Sequence, residues 1–352
     1  MELIWGNEQK ALDFLSSINE EDRVAVFSHT DVDGVSAGML MDKFVNARIV
    51  EFLSYSPDLV SKVIDKVHTQ EITKVIFTDL SLAQNLDDLK KLAWMVPVLV
   101  IDHHEFPEDV NDDRLIFLRT NSTTCATKTV YDLFLKLEKG KGIAQKYDWL
   151  VAAAVVSDYT TESHQNFLRE VEDKYNLIVR AETGNQAFQS DIGKISITIN
   201  NATIYFHKDW KEFYSLFSSL ESIDDLWKFK ASYEIIEDEI QKKLKEFEDN
   251  AEIKKDTMFC LIHLNYPVTS AISSILAGKY PDKTIIVMLD SGKDILKISS
   301  RRQDGKVNLP QLLEKATSGL EGAAAGGHFK AAGGAIKRED FDEFKKRLWE
   351  LV

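Results

Sequence analysis

Short apolar, β-branched runs alternate with amphipathic segments through the first third of the chain. Residues 24–27, 47–53, 74–77, 97–101 and 115–118 read as strands. Helical periodicity is predicted over 8–18, 34–45, from Pro57 to about 67, and over 84–94; in the first of these Ala11, Leu12, Leu15 and Ile18 share a face. Such alternation predicts an α/β fold with a parallel sheet covered by helices.

The pattern then changes. Asn121-Ser122-Thr123-Thr124-Cys125 heads a helix running to about Leu137. That run would cap the helix, and its free amides could also receive a phosphate; capping carries more weight because every helix needs it. Gly140-Lys141-Gly142 reads as a break before an alanine- and valine-rich helix over 144–157. Residues 195–206 alternate as one or two strands would. The charged helix over 230–249 carries Tyr233, Ile236, Ile240, Leu244 and Phe247 at spacings of three and four. A coiled-coil seam there would imply a homodimer, but the stripe is short, and an amphipathic helix joining two domains fits better. Strands over 258–263, 284–289 and 295–299, with helices over 269–279 and 339–350, form a second α/β region. At 352 residues the chain is long for one core. The expected division is 1–227, a linker helix over 228–255, and 256–352.

Composition narrows the classes. Hydrophobic content of 44% with 28% charged residues describes a globular protein. The net charge of -14 argues against coating long nucleic acid, which needs clustered Lys and Arg. The last 62 residues hold twelve Lys and Arg against nine Asp and Glu, so the acidic excess lies upstream. Cys125 and Cys260 are isolated, which disfavours a disulfide framework and a cysteine zinc site. The segment Met1–Trp5 lacks the basic and apolar regions of a signal peptide, and no apolar run reaches the roughly eighteen residues of a membrane span. A cytoplasmic location without a membrane partner is expected.

Candidate chemistry gathers at strand ends. His29, Asp31 and Asp33 follow the first strand, Asp79 the third, and Asp102, His103 and His104 the fourth. In an open parallel sheet these ends share one edge, where ligand sites lie. Each is weak evidence alone, since Asp is common in turns. Three together predict a metal site. Asp158, at the end of an apolar helix, is a further candidate ligand, whereas His164 and His207 read as packing histidines. The Gly- and Ala-rich stretch over 319–334 is either flexible low complexity or a phosphate-binding nest, with His328 and the nearby arginines completing an anion site.

Taken in order, His29-Thr30-Asp31-Val32-Asp33-Gly34, Thr78-Asp79, Asp102-His103-His104 and Ser157-Asp158 resemble the four motifs of the DHH phosphoesterases. Gly326-Gly327-His328-Phe329-Lys330-Ala331-Ala332-Gly333 is similar to the signature of the associated DHHA1 domain. The resemblance implies two Mn2+ ions, with Mg2+ as a substitute, in a cleft between the parallel-sheet domain and a smaller α/β domain. It gives His29 and Asp31 to one ion and Asp33, His103 and Asp158 to the other, with Asp79 bridging. Asp102 would orient a neighbouring histidine and His104 would face the phosphate. Arg301 or Arg302, His328 and the Gly326 and Gly327 amides would hold a substrate phosphate. The implied activity is RecJ-like or nanoRNase-like: removal of nucleotides from single-stranded DNA or RNA, above all short oligonucleotides. Hydrolysis of a cyclic or linear dinucleotide, 3'-phosphoadenosine phosphate or polyphosphate is the alternative, and a catalytically silent scaffold subunit the third. Protein partners are not indicated.

Overall fold

The computed structural model describes residues 2–290, 292 and 294–352, with the side chains of Asn185 and His328 excepted. The chain divides into two units, 1–230 and 231–352.

In the first unit β1 (Leu3–Trp5), α1 (Glu8–Ser16), β2 (Val24–His29), α2 (Val32–Val45), β3 (Ile49–Leu53), α3 (Leu59–Thr69), β4 (Lys74–Thr78), α4 (Leu86–Met95), β5 (Val98–Asp102) and β6 (Leu115–Thr120) form the sheet and its first helices. The sheet order is β1-β6-β5-β4-β2-β3. Strands β2 to β6 pair in parallel, and β1 closes the edge antiparallel to β6. Because successive strand residues point to opposite faces, Val24 and Val26 enter one core cluster while Ala25 and Phe27 enter another. Helix α2 packs into the first cluster, and α3 and α4 into the second. The chain runs outward from β2 to β3, then crosses back to place β4 on the other side of β2. The switch point between β2 and β4 is where an open α/β sheet leaves a crevice at its carboxyl edge.

Helices α5 (Ala126–Phe134), α6 (Glu138–Lys146), α7 (Asp148–Ser157), α8 (Gln165–Lys174), α9 (Asp191–Tyr205) and α10 (Trp210–Phe217) complete the unit. Two expectations are corrected here. Gly140 and Gly142 lie inside α6 and do not break the chain. A side chain at Gly140 would place its Cβ 2.7 Å from the Phe134 carbonyl oxygen, so the glycine lets α6 start tightly against the end of α5. The alternating run over 195–206 is helical within α9, not strand. Ile192, Ile195, Ile199 and Ala202 are buried at helical spacing, and Ser190 caps the start by accepting from the Gly193 amide. Packing on α7, whose own sequence is apolar on all sides, overrides the β-branched propensity.

The second unit contains α11 (Lys230–Asn250), β7 (Glu252–Lys254), β8 (Thr257–His263), α12 (Thr269–Lys279), β9 (Thr284–Asp290), β10 (Ile295–Arg301), α13 (Leu309–Thr317), β11 (Ala324–His328), β12 (Ala331–Lys337) and α14 (Phe341–Leu351). Its sheet runs β11-β12-β10-β9-β8-β7 and is antiparallel except for the β8–β9 pair. Helices α13 and α14 bury Leu309, Leu313, Phe344 and Leu348 against Phe259, Ile286 and Ile298. Helix α11 is tied to this unit through Glu248, which accepts from Lys279 and from the Tyr280 hydroxyl. The glycine-rich stretch forms the β11–β12 hairpin, with Phe329 and Lys330 at the turn. Among the described residues, no helix is long and apolar enough to cross a membrane.

Candidate metal centre

The carboxyl edge of β2, β4 and β5 is built from local sequence. Ser28 lies beside Thr78 in the β2–β4 register, and Thr78 beside Ile101 in the β4–β5 register. The residues that follow therefore emerge at one level. Beneath them the Ser28 hydroxyl pairs with Thr78 Oγ1 at 2.6 Å and donates to the Gly34 carbonyl, joining β2, β4 and α2. Gly34 is required: an added Cβ would lie 2.5 Å from the His29 carbonyl oxygen. Asp31 caps α2 by accepting the Gly34 amide through Oδ1 at 2.9 Å, which leaves Oδ2 2.9 Å from His29 Nδ1.

Asp33 is held from far along the chain. Its two carboxylate oxygens accept the Ala126 and Thr127 amides at 2.7 and 2.8 Å, and the Thr127 hydroxyl donates to its carbonyl. The first amides of α5 thus serve a buried carboxylate and not a phosphate, and a residue 93 positions away does the capping. Asp79 sits in the left-handed backbone region, φ 57°, with its amide donating to the Ile101 carbonyl at 2.9 Å. For a residue other than glycine this conformation is uncommon, and it aims the carboxylate across the strand ends.

The structure brings these side chains together. Donor atoms of His29, Asp31 and Asp79 lie within 4.8 Å of one another, as do those of Asp33, His103 and Asp158, and those of Asp79, Asp102, His103 and His104. His103 links the sets, with Nε2 3.4 Å from Asp79 and Nδ1 3.5 Å from Asp158. His104 is oriented by Asp102, whose Oδ1 accepts its Nδ1–H at 2.8 Å. Arg119 fixes the backbone there by donating to the His104 carbonyl at 2.7 Å.

Close packing without hydrogen bonding is the informative feature. His29 Nδ1, His103 Nδ1 and one oxygen each of Asp79, Asp102 and Asp158 are buried with no hydrogen-bond partner. Such groups are costly unless something else satisfies them. Convergent buried donor atoms left without hydrogen-bond partners are what a cation can satisfy, and the imidazole and carboxylate set with no thiolate suits a borderline-hard divalent metal. The residues therefore fit a metal centre.

The electrostatics agree. Burial and the neighbouring Asp31 and Asp33 carboxylates hold the Asp79 carboxyl well above its ordinary range. Burial, with Asp33 close by, pushes Asp158 up to about 9. His29 is opposed by its burial, yet Asp31 and Asp79 push it up to about 10. Without a cation the cluster must retain protons to offset its own repulsion.

The proposed phosphate site divides differently. Arg302 is 2% exposed, and its guanidinium is taken up by Asp304, Asp256 and the Thr284 hydroxyl. It is a structural ion-pair residue and not an arm for substrate, which corrects the expectation. Arg301 is half-buried, with Nη2 donating to Ser270 Oγ at 3.0 Å. Gly326 and Gly327 lie in edge strand β11, and the His328 side chain is outside the described residues. Arg302→Ala should destabilise the second unit, because it removes a buried side chain that joins Asp256, Asp304 and Thr284, while leaving Mn2+ binding unchanged. Urea unfolding read beside Mn2+ calorimetry checks both halves.

Tyr55 was not legible as a site residue. It follows β3, one more strand end on the same edge, and stacks on His29 with ring centroids 4.5 Å apart.

Comparison with known proteins adds the family. A model of the "DHH family, N-terminal domain" matches residues 23–157, and a "DHHA1 domain" model matches 261–352. No match was found among curated protein sequences. Among solved structures, a manganese-bound exonuclease RecJ aligns at 15% identity and a TM-score of 0.70, covering 99% of this chain and 95% of that one. RecJ of Thermus thermophilus with Mn2+ aligns at 17% identity and 0.70, covering 99% and 55%. CDC45 of Entamoeba histolytica aligns at 10% identity and 0.62, covering 98% of both chains. At these identities the likeness establishes a shared fold. With one family model on the sheet that carries the candidate centre and the other on the second unit, the chain belongs to the DHH/DHHA1 phosphoesterase family.

Proposed function

We propose that this protein is a Mn2+-dependent phosphodiesterase that removes nucleotides from the ends of short single-stranded DNA or RNA. The observation that carries the reading is the pair of donor sets His29–Asp31–Asp79 and Asp33–His103–Asp158, in which His29, Asp79, His103 and Asp158 each bury an atom that has no hydrogen-bond partner. Each set would hold one ion, with Asp79 shared. Two such ions supply an activated water and neutralise the oxygens of an in-line displacement.

The chain's own residues do the rest. Asp31 and Asp33, each fixed by backbone amides, keep their remaining lone pairs in place without reorganisation. Asp102 holds His104 by Nδ1, so His104 presents Nε2 to accept or return a proton at a phosphoryl oxygen. Arg301, the Gly326 and Gly327 amides and His328 would bind a phosphate on the second unit, which favours a nucleotide end over a bare monoester.

The test is a panel of 5'- and 3'-labelled DNA and RNA of graded length, with linear and cyclic dinucleotides, in Mn2+, Mg2+ or EDTA. Mononucleotide release in Mn2+, fastest on short single strands and absent in EDTA, is expected. Activity confined to dinucleotides or other small phosphate compounds would overturn the substrate class. Hydrolysis that survives EDTA, or none in any arm, would overturn the metal-dependent reading.

A further inference from the structure

Tyr55 is an aromatic side chain that touches two histidines of the centre, and the reading above gives it no task. Its ring stacks on His29 at 4.5 Å and 27° between planes. It meets His104 edge-on at 5.8 Å. Its hydroxyl lies 3.2 Å from His104 Nε2. The Asp102 carboxylate can only accept, so His104 Nδ1 carries a proton towards it. Nε2 of the neutral ring then accepts from the Tyr55 hydroxyl, and the imidazolium donates to it.

The turn that carries Tyr55 is itself fixed. Asn85, 4% exposed, sits just ahead of α4 and spends its side-chain amide on this turn, donating to the Ser56 carbonyl at 3.2 Å and the Pro57 carbonyl at 2.7 Å. A buried side-chain amide committed to two successive carbonyls holds the turn more firmly than its sequence would. Even so, Tyr55 as a whole remains 47% exposed.

We propose that Tyr55 is a positioning residue: its ring braces His29 in ligand geometry, and its hydroxyl holds His104 Nε2 until a phosphoryl oxygen replaces it. The proposal rests on the hydrolytic reading for its second half and on metal binding alone for its first. Each half removes a degree of freedom from an imidazole whose ring angle decides what its nitrogen can reach. Loss of a group that orients a ligand typically changes metal affinity or activity by roughly 10–100-fold.

Two variants separate the halves. Tyr55→Phe keeps the ring and deletes the hydroxyl, so kcat should fall about 10-fold with KM, melting temperature and Mn2+ affinity unchanged. Tyr55→Leu removes the brace as well, and Mn2+ affinity measured by calorimetry should weaken about 10-fold. Asn85→Ala should reproduce part of both effects through the loosened turn. Wild-type kcat in Tyr55→Phe overturns the hydroxyl's task. Wild-type Mn2+ affinity in Tyr55→Leu overturns the brace, and equal losses in both variants with a lowered melting temperature reduce Tyr55 to general structure. Should the wild-type protein bind Mn2+ and hydrolyse nothing, the hydrolytic reading has failed on its own, and the affinity comparison still decides the brace.

Discussion

Asp79→Asn is expected to lower kcat by on the order of 10³-fold and, in the same protein, to raise the melting temperature of the metal-free form. Both effects have one origin. Asp79 is 1% exposed, close to His29, His103 and His104, and pressed by the Asp31 and Asp33 carboxylates. With cations bound, that crowding is what makes the site bind. Without them the Asp79 carboxyl must take up a proton for the chain to fold, a cost that a neutral asparagine does not carry. Asparagine is the informative replacement because it tolerates the left-handed backbone found here, φ 57°, whereas alanine would add strain of about 1 kcal/mol. Calorimetric melting in EDTA, Mn2+ titration and the oligonucleotide assay read the three consequences. An Asp79→Asn protein that still hydrolyses, or that melts lower in EDTA, would remove Asp79 from the shared position.

That the strand-end residues could be picked from sequence follows from how parallel sheets work. Once 24–27, 74–77 and 97–101 read as strands, the pleat and the parallel order put His29, Asp79 and Asp102 on one edge with no further information. What sequence could not supply was contact between distant segments. Nothing near Asp33 signals that the Ala126 and Thr127 amides, from a helix beyond the sheet, receive its carboxylate. Tyr55 was invisible for the same reason, since a Ser-Tyr-Ser-Pro turn looks ordinary until β3 is placed beside β2.

The misreadings also have physical causes. Ile195, Ile199 and their neighbours satisfy a period of two and a period of 3.6 over a short window, and only burial against α7 decides between them. In the glycine-rich stretch composition suggested exposed amides, yet small side chains also let strands approach closely, and β12 lies between β10 and β11. Arg301 ends β10 and Arg302 directly follows it, and the two side chains reach different surroundings. One meets Asp256 and Asp304, the other Ser270.

The metal-free protein should lose stability as pH rises from about 5 to 9, opposite to the behaviour of the Mn2+-loaded protein. Asp158 is pushed up to about 9 and Asp79 lies well above its ordinary range, against about 3.9 for aspartate in an unfolded chain. His29 stands at about 10, against roughly 6.5 unfolded. Groups whose folded pKa is raised stabilise the fold fully below the unfolded value and lose that contribution as pH climbs through the folded one. Asp31 and the buried Asp102 are held low by His29 and His104 respectively, so their contribution is present above about pH 4 and lost only in acid. Between pH 5 and 9 the raised groups govern. In EDTA the melting temperature should drop by on the order of 5 °C across that range. Mn2+ competes with the same protons, so in its presence the affinity and the melting temperature should rise with pH. Asp158→Asn supplies the control: it removes one raised group and should flatten the EDTA curve. A curve in EDTA that is flat for the wild-type protein, or that rises in parallel with the Mn2+ curve, would mean that the cluster does not hold its protons against a cation.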